Sequence, residues 1–345
     1  MTLKRSIGIG MAALLLSAAP GLAADGDTLA AVKERGKLLC TGHNGSYLGM
    51  TELDDKGNWK GIDIDLCRSL ATAIFGSDKG HLDIVPLSWA QRWPAIQSGD
   101  VDVIIKATGW TFGRDTEVGL QFSRPYMLTV VNYLALAELG AKTAADLDGG
   151  TLCVQAGTTF ERYAVAHASA KNYKINMIPF EKTEEARAAF LSGRCDAFMD
   201  SDLQLAVLKN TQTDDPDKYA IIPDVITAEP LSIAVRQGDD NWVDIQNWML
   251  SALLIAEQSG VTSKNIDEMK ANPPSPEVSK LLGATPGMGT PLGLEDDWAY
   301  NVIKAYGNYG ELWDRNIGKN SPYKLERGIN ALVGDGGVQY PLILD

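Results

Sequence analysis

Apolar residues recur every three or four positions in some stretches of this chain and fill short unbroken runs in others, and the two patterns alternate. A strand at 37–41 is followed by a hairpin turning at 54–57. Ile62, Leu66, Leu70 and Ile74 then share one face of a helix that Gly76 stops. The pattern goes on to predict a strand at 82–87, a helix at 88–98 with Trp89, Trp93 and Ile96 inward, and a buried strand at 101–105. A second region repeats the plan, with strands at 151–155, 175–180 and 195–199 and helices at 160–170 and 183–192. Such alternation predicts parallel sheets covered by helices, with ligands beyond the carboxyl ends of the strands.

The two regions also echo each other locally. Ser98-Gly99-Asp100-Val101-Asp102 and Ser192-Gly193-Arg194-Cys195-Asp196 both run from a helix stop into a strand, with an aspartate three residues after the glycine. Two similar lobes are the expected architecture. Apolar runs at 130–137 and 231–236 supply a crossing in each direction, a two-strand hinge. The expected lobes are therefore 25–133 with 232–345, which includes a C-terminal helical extension, and 134–231. In that extension a helix at 241–259 precedes the Pro-rich 272–276, and a second long helix runs from about 296 to 316. Asp63 and Asp65 fall in a first helical turn and read as capping charges.

At the N-terminus, Lys4-Arg5, an apolar run at 7–16 and small residues at 17–24 read as an export signal covering 1–24, cleaved near Ala23 or Ala24. The expectation is a soluble, exported, periplasmic protein. Its net charge of −13, or −15 without Lys4 and Arg5, argues against nucleic acid or an anionic membrane as partner. In an exported chain four cysteines predict two disulfides, of which sequence permits three pairings. Cys40 with Cys67 and Cys153 with Cys195 would staple one region each, against the alternative of four reduced thiols.

Candidate chemistry centres on 107–126, where the strand at 101–105 opens into a Gly/Thr-rich loop ending at Arg114. Backbone N–H groups and a planar guanidinium there suit a carboxylate; a solvated ion pair with Asp115 or Glu117 is the plainer alternative. Thr158-Thr159-Phe160-Glu161 matches a capping box, whose helix N-terminus also favours anions. Asp200 and Asp202 offer negative charge near the same edge. His43, His81 and His167 lack metal-ligand spacing, and neither nucleophile elbow, phosphate loop nor dinucleotide fingerprint occurs. Binding, without metal or cofactor, is favoured over catalysis.

Further residues form an ordered set: Cys40, 61–68 (Gly-Ile-Asp-Ile-Asp-Leu-Cys-Arg), 97–102 (Gln-Ser-Gly-Asp-Val-Asp), Arg114-Asp115, 154–159 (Val-Gln-Ala-Gly-Thr-Thr), 193–196, 234–240 (Ala-Val-Arg-Gln-Gly-Asp-Asp) and 298–311. With these the chain resembles the extracytoplasmic solute-binding proteins of polar amino-acid ABC transporters, most closely the general L-amino-acid-binding subgroup. The resemblance implies an α/β fold of the two-lobed type II periplasmic-binding class, each lobe a sheet flanked by helices. It implies a monomer that closes on one amino acid and presents it to an inner-membrane permease. By that resemblance Arg114 holds the α-carboxylate, Thr158 and Thr159 assist, and Asn44, Tyr47 and Trp89 contact the side chain. Two positions depart from the family. Gly109 stands where a Thr or Ser would bond the carboxylate, leaving a backbone donor, and Ser201 stands where the ammonium-binding aspartate belongs. A shifted aspartate (Asp200 or Asp202), a different ligand or weakened binding all stay open. So do two other functions: a cyclohexadienyl-type dehydratase on this fold, and a non-transport partner protein with a degenerate site.

Overall fold

The computed structural model describes residues 27–345, apart from the side chains at 223 and 225. The expected export signal at 1–24 lies outside the described residues. The chain runs α1 (Asp27–Arg35), β1 (Leu38–His43), a hairpin of β2 (Glu52–Leu53) and β3 (Trp59–Lys60), α2 (Ile62–Phe75), β4 (Leu82–Leu87), α3 (Arg92–Ser98), α4 (Phe112–Thr116) and β5 (Leu120–Leu136). It continues with β6 (Thr151–Gln155), α5 (Thr159–Lys171), β7 (Asn176–Phe180), α6 (Thr183–Leu191), β8 (Ala197–Ser201), α7 (Asp202–Thr211) and β9 (Tyr219–Arg236). The extension holds α8 (Asp240–Gln258), α9 (Ile266–Ala271), α10 (Pro276–Leu281), α11 (Trp298–Tyr306) and α12 (Tyr309–Asn316).

In the first lobe β1 and β4 pair in parallel, and in the second the strand order is β7-β6-β8-β5-β9. The hinge is longer than the two apolar runs predict. β5 and β9 pair antiparallel from Leu120 opposite Arg236 to Leu136 opposite Tyr219, with register shifts near Pro125 and between Val131 and Tyr133. Polar residues such as Ser123, Thr129 and Glu229 lie just outside the apolar runs yet are all buried, so hydropathy alone cut both strands short.

The strand expected at 101–105 makes only isolated bridges, Cys40 with Val103 and Ile104 with Ala234, although the whole run is buried. α3 starts at Arg92 rather than 88, because the Ser88 and Gln91 side chains bond each other's backbone N–H in a turn. The long helix expected at 296–316 is two. Gly307 breaks it at φ 82°, and Asn308 starts α12 with a capping box to Glu311.

Both disulfides form as expected, Cys40 with Cys67 and Cys153 with Cys195. The local echo is also structural. The Asp102 backbone N–H donates to Leu39 O (2.9 Å) and its carboxylate accepts from Leu39 N (2.8 Å). Asp196 does the same with Thr151, at 3.0 and 2.7 Å. In each lobe an aspartate thus ties the returning chain to the first strand.

One large core joins α1, β1 and α2 to the extension, with Trp242, Trp298, Tyr309 and Trp313 inside it. In the second lobe two smaller clusters cover opposite sheet faces. Leu152, Val154 and Met199 pack with Phe160 of α5, while Cys153 and Phe198 pack with Phe190 of α6 and Leu205 of α7. No described helix is long and apolar enough to cross a membrane.

Candidate functional site

The loops expected to carry the site do meet between the lobes, which close on a cavity of about 10 Å³, room for one water. Tyr47, Ala107, Thr129, Phe160, Ser201 and Leu231 are among its walls.

On the first lobe, Asp63 holds the critical loop in place. Rather than capping α2, its carboxylate accepts from Tyr126 Oη (2.7 Å), Ala107 N (2.9 Å) and Thr51 Oγ1 (3.2 Å). Ala107 sits at φ 36°, a left-handed conformation that this bond helps fix. Burial outweighs the three bonds and pushes Asp63 up to about 6. Asp65 is likewise more than a capping charge, since it pairs with Arg68 and, across the fold, with Arg315 of α12.

Arg114 is buried, donates from Nη1 to Gly109 O (2.7 Å) and lies over the Trp93 ring at 4.9 Å. Burial lowers it to about 10, which leaves it charged at neutral pH. Facing it, Thr158 caps α5 by accepting from Glu161 N (3.3 Å), while Glu161 reaches Gly157 N (2.9 Å) instead of closing the expected box on Thr158. Thr158 and Thr159 are both buried, and the Thr159 hydroxyl bonds the Glu229 carboxylate.

Tyr47 and Trp89 form an aromatic cluster with His43, with ring centroids 5.3 Å apart for Tyr47–Trp89 and 5.1 Å for His43–Trp89. Tyr47 Oη donates across the cleft to Asp200 Oδ1 at 2.8 Å. Burial pushes Asp200 up to about 6. Asp202 instead accepts from Val130 N (3.1 Å) on the hinge strand, and Ser201 caps α7 through Gln204 N. Asn44 extends the β1–β4 ladder with its N–H to Leu87 O, and its side chain is exposed. The structure therefore gathers Arg114, Gly109, Thr158, Thr159, Tyr47, Trp89 and Asp200, and places Asn44 and Asp202 elsewhere.

Four further charged residues line the same region and were not singled out by pattern. Arg92, 1% exposed, lies 4.8 Å from the Trp89 ring and 4.1 Å from that of Trp93. Lys106 Nζ donates to Leu87 O (3.0 Å) and Gly42 O (3.2 Å) and sits 4.6 Å from the Trp89 ring. Burial holds both well below their usual ranges. Arg187 of α6 donates to Gln204, and Glu229 projects from β9. Lys106 ends the apolar run at 101–105, and Arg92 stands between Trp89 and Trp93 at the start of α3; each is a charge in an apolar pattern, the one signal available. Burial, then Lys106, lowers His43 to about 2, so it stays neutral.

Two closed α/β lobes on a two-strand hinge, with facing cationic and acidic groups in the cleft, define a solute-binding protein. The profile of the bacterial extracellular solute-binding proteins, family 3, matches residues 39–266, and the chain belongs to that family. It is 42% identical to the general L-amino acid-binding periplasmic protein AapJ of Rhizobium johnstonii, over 97% of each chain. It is 37% identical to the glutamate/glutamine/aspartate/asparagine-binding protein BztA of Rhodobacter capsulatus, over 98% of each. A solved ABC transporter/periplasmic binding protein from Brucella ovis, with glutathione bound, superposes with a TM-score of 0.85 at 42% identity, covering 93% of this chain and 99% of that one.

Proposed function

We propose that this chain is the periplasmic receptor of an ABC importer for free amino acids and compounds with an amino-acid end, exported by its N-terminal signal and acting by capture and delivery rather than catalysis. Its lobes are 25–133 with 232–345, and 134–231. The observation that carries the reading is the juxtaposition in one closed cleft of buried cations (Arg92, Lys106, Arg114) with buried acids (Asp200, Glu229). A zwitterion matches that pairing. A simple anion would leave Glu229 Oε1 unmet, at a cost of about 1–3 kcal/mol for a buried unsatisfied group. The names of AapJ and BztA support the amino-acid class, and the glutathione in the Brucella protein supports a broader one, since a γ-glutamyl end carries the same ammonium and carboxylate. In this reading the ligand stabilises the closed form by its differential affinity for it, and the permease receives it from there. Titration calorimetry of ligand-free, refolded protein with L-glutamate, L-glutamine, L-leucine and glutathione is expected to give heat with at least one. No heat with any of them refutes the ligand class.

A further inference from the structure

Gly109 removes the hydroxyl that the family resemblance expects beside Arg114, and the structure shows what takes the space. A Cβ built on Gly109 would lie 1.9 Å from Glu229 Oε1. Glu229 is 2% exposed, bonds Thr159 through its carboxylate and sits in the field of Arg114 and Arg92, yet Oε1 itself has no hydrogen-bond partner. Nearby, Arg92 Nε and Nη1 are buried donors without partners. An idle buried acceptor and idle buried donors in one cleft are complementary to a group carrying both an ammonium and a carboxylate.

The geometry points to Glu229 as the residue that accepts the ligand's ammonium, in place of the aspartate that Ser201 lacks, with Gly109 as the clearance that lets its carboxylate reach the site. This rests on the amino-acid reading above. Asp200 is less available for the role, because its Oδ1 already accepts from Tyr47 Oη and Ser201 N. Asp202 bonds the hinge backbone. Arg114 and Arg92 then take the carboxylate next to the ammonium. Glu229 thereby discriminates amino acids from acids of the same shape without an amine.

The test compares wild type, Glu229→Gln and Gly109→Ala by calorimetry. The probes are L-glutamate and L-leucine, and glutarate and 4-methylpentanoate, the same acids without the ammonium. Loss of a buried charge-assisted bond predicts about 10- to 100-fold weaker amino-acid binding by Glu229→Gln. Binding of the amine-free acids should be unchanged or improved. Gly109→Ala, which displaces the carboxylate by a steric route, is expected to lose amino-acid affinity in the same direction, with circular dichroism checking that both variants fold. If wild type binds an amino acid and Glu229→Gln binds it as tightly or more tightly, the inference is overturned while the amino-acid reading stands; tighter binding would make Glu229 an internal competitor of the ligand. If wild type binds neither of these amino acids, nor L-glutamine or glutathione, both fall together.

Discussion

The two lobes share a frame and divide the chemistry. In each, an aspartate after a Ser-Gly helix stop bonds the first strand through both its N–H and its carboxylate, and in each one disulfide braces that strand. What they bring to the cleft differs. The first lobe contributes Arg92, Lys106 and Arg114, held over tryptophan rings on a large core that the extension thickens. The second contributes a helix N-terminus, the acids Asp200 and Glu229, and Arg187 of α6, on a thin sheet covered by two small clusters. Three of the cleft's four buried cations thus sit on the lobe with the larger core, where a rigid surround keeps desolvated groups aimed. The second lobe supplies both acids and the fourth cation.

Removing a disulfide should break that symmetry most. Chain entropy predicts a loss of about 3.5 kcal/mol for the Cys40–Cys67 loop and about 4 kcal/mol for the longer Cys153–Cys195 loop. All eight tryptophans lie outside 134–231, so fluorescence reports the first lobe and circular dichroism reports both. Cys153→Ala with Cys195→Ala is expected to separate the two signals in a denaturant titration, the dichroism falling first. Cys40→Ala with Cys67→Ala should shift the fluorescence transition itself. Coincident transitions in the first variant would mean the lobes unfold as one unit and the comparison fails.

Much of the frame was legible in the residues. Four-residue spacing marked α2, short and mostly apolar runs marked β4 and β6, and the compartment made the cysteine pairing readable. The break at Gly307 was also present in sequence, since Asn308 and Glu311 have capping-box spacing, but the apolar face of Trp298, Val302 and Tyr306 outweighed it. The site was only half legible. Arg114 announces itself in a Gly-rich loop, whereas Arg92 and Lys106 show only as charges among apolar residues, and Glu229 looks like an ordinary solvated charge until the fold buries it. Asp63 is clearer still. Its partners Tyr126 and Ala107 are 63 and 44 residues away, so no local pattern distinguishes it from a helix cap.

The acid shared between the lobes gives the next effect. Asp200 has its folded pKa pushed up to about 6 from an ordinary 3.8, so the folded state holds the proton more tightly than the unfolded chain. Its contribution is therefore fully present below about pH 4 and is lost as pH rises through 6. Protein stability from denaturation in wild type should fall across that window by up to about 3 kcal/mol relative to Asp200→Asn, which has no proton to lose. Tyr47→Phe removes the 2.8 Å cross-cleft bond and should leave that window in place, because burial is the larger cause of the shift. Parallel pH profiles for wild type and Asp200→Asn would remove Asp200 as the titrating group.

The smallest effect separates two caps that are alike in stability and unlike in position. Thr158 caps α5 facing Arg114, and Ser201 caps α7 at the site of the absent aspartate. Thr158→Ala and Ser201→Ala should each cost about 1 kcal/mol of stability, the usual loss when a helix N–H is left without its side-chain acceptor. Their effect on ligand binding should differ. Thr158 also donates to Gln155 O at 2.7 Å, which sets the entry of α5 and hence the aim of Thr159 at Glu229. Thr158→Ala is expected to weaken amino-acid affinity several-fold beyond its effect on folding, read as a change in Kd at a temperature where both proteins are fully folded. Ser201→Ala should leave Kd within about twofold, because the ammonium it would have served is met by Glu229. An equal loss in both variants would move the ammonium site from Glu229 of β9 to the start of α7 at Ser201 and overturn the assignment.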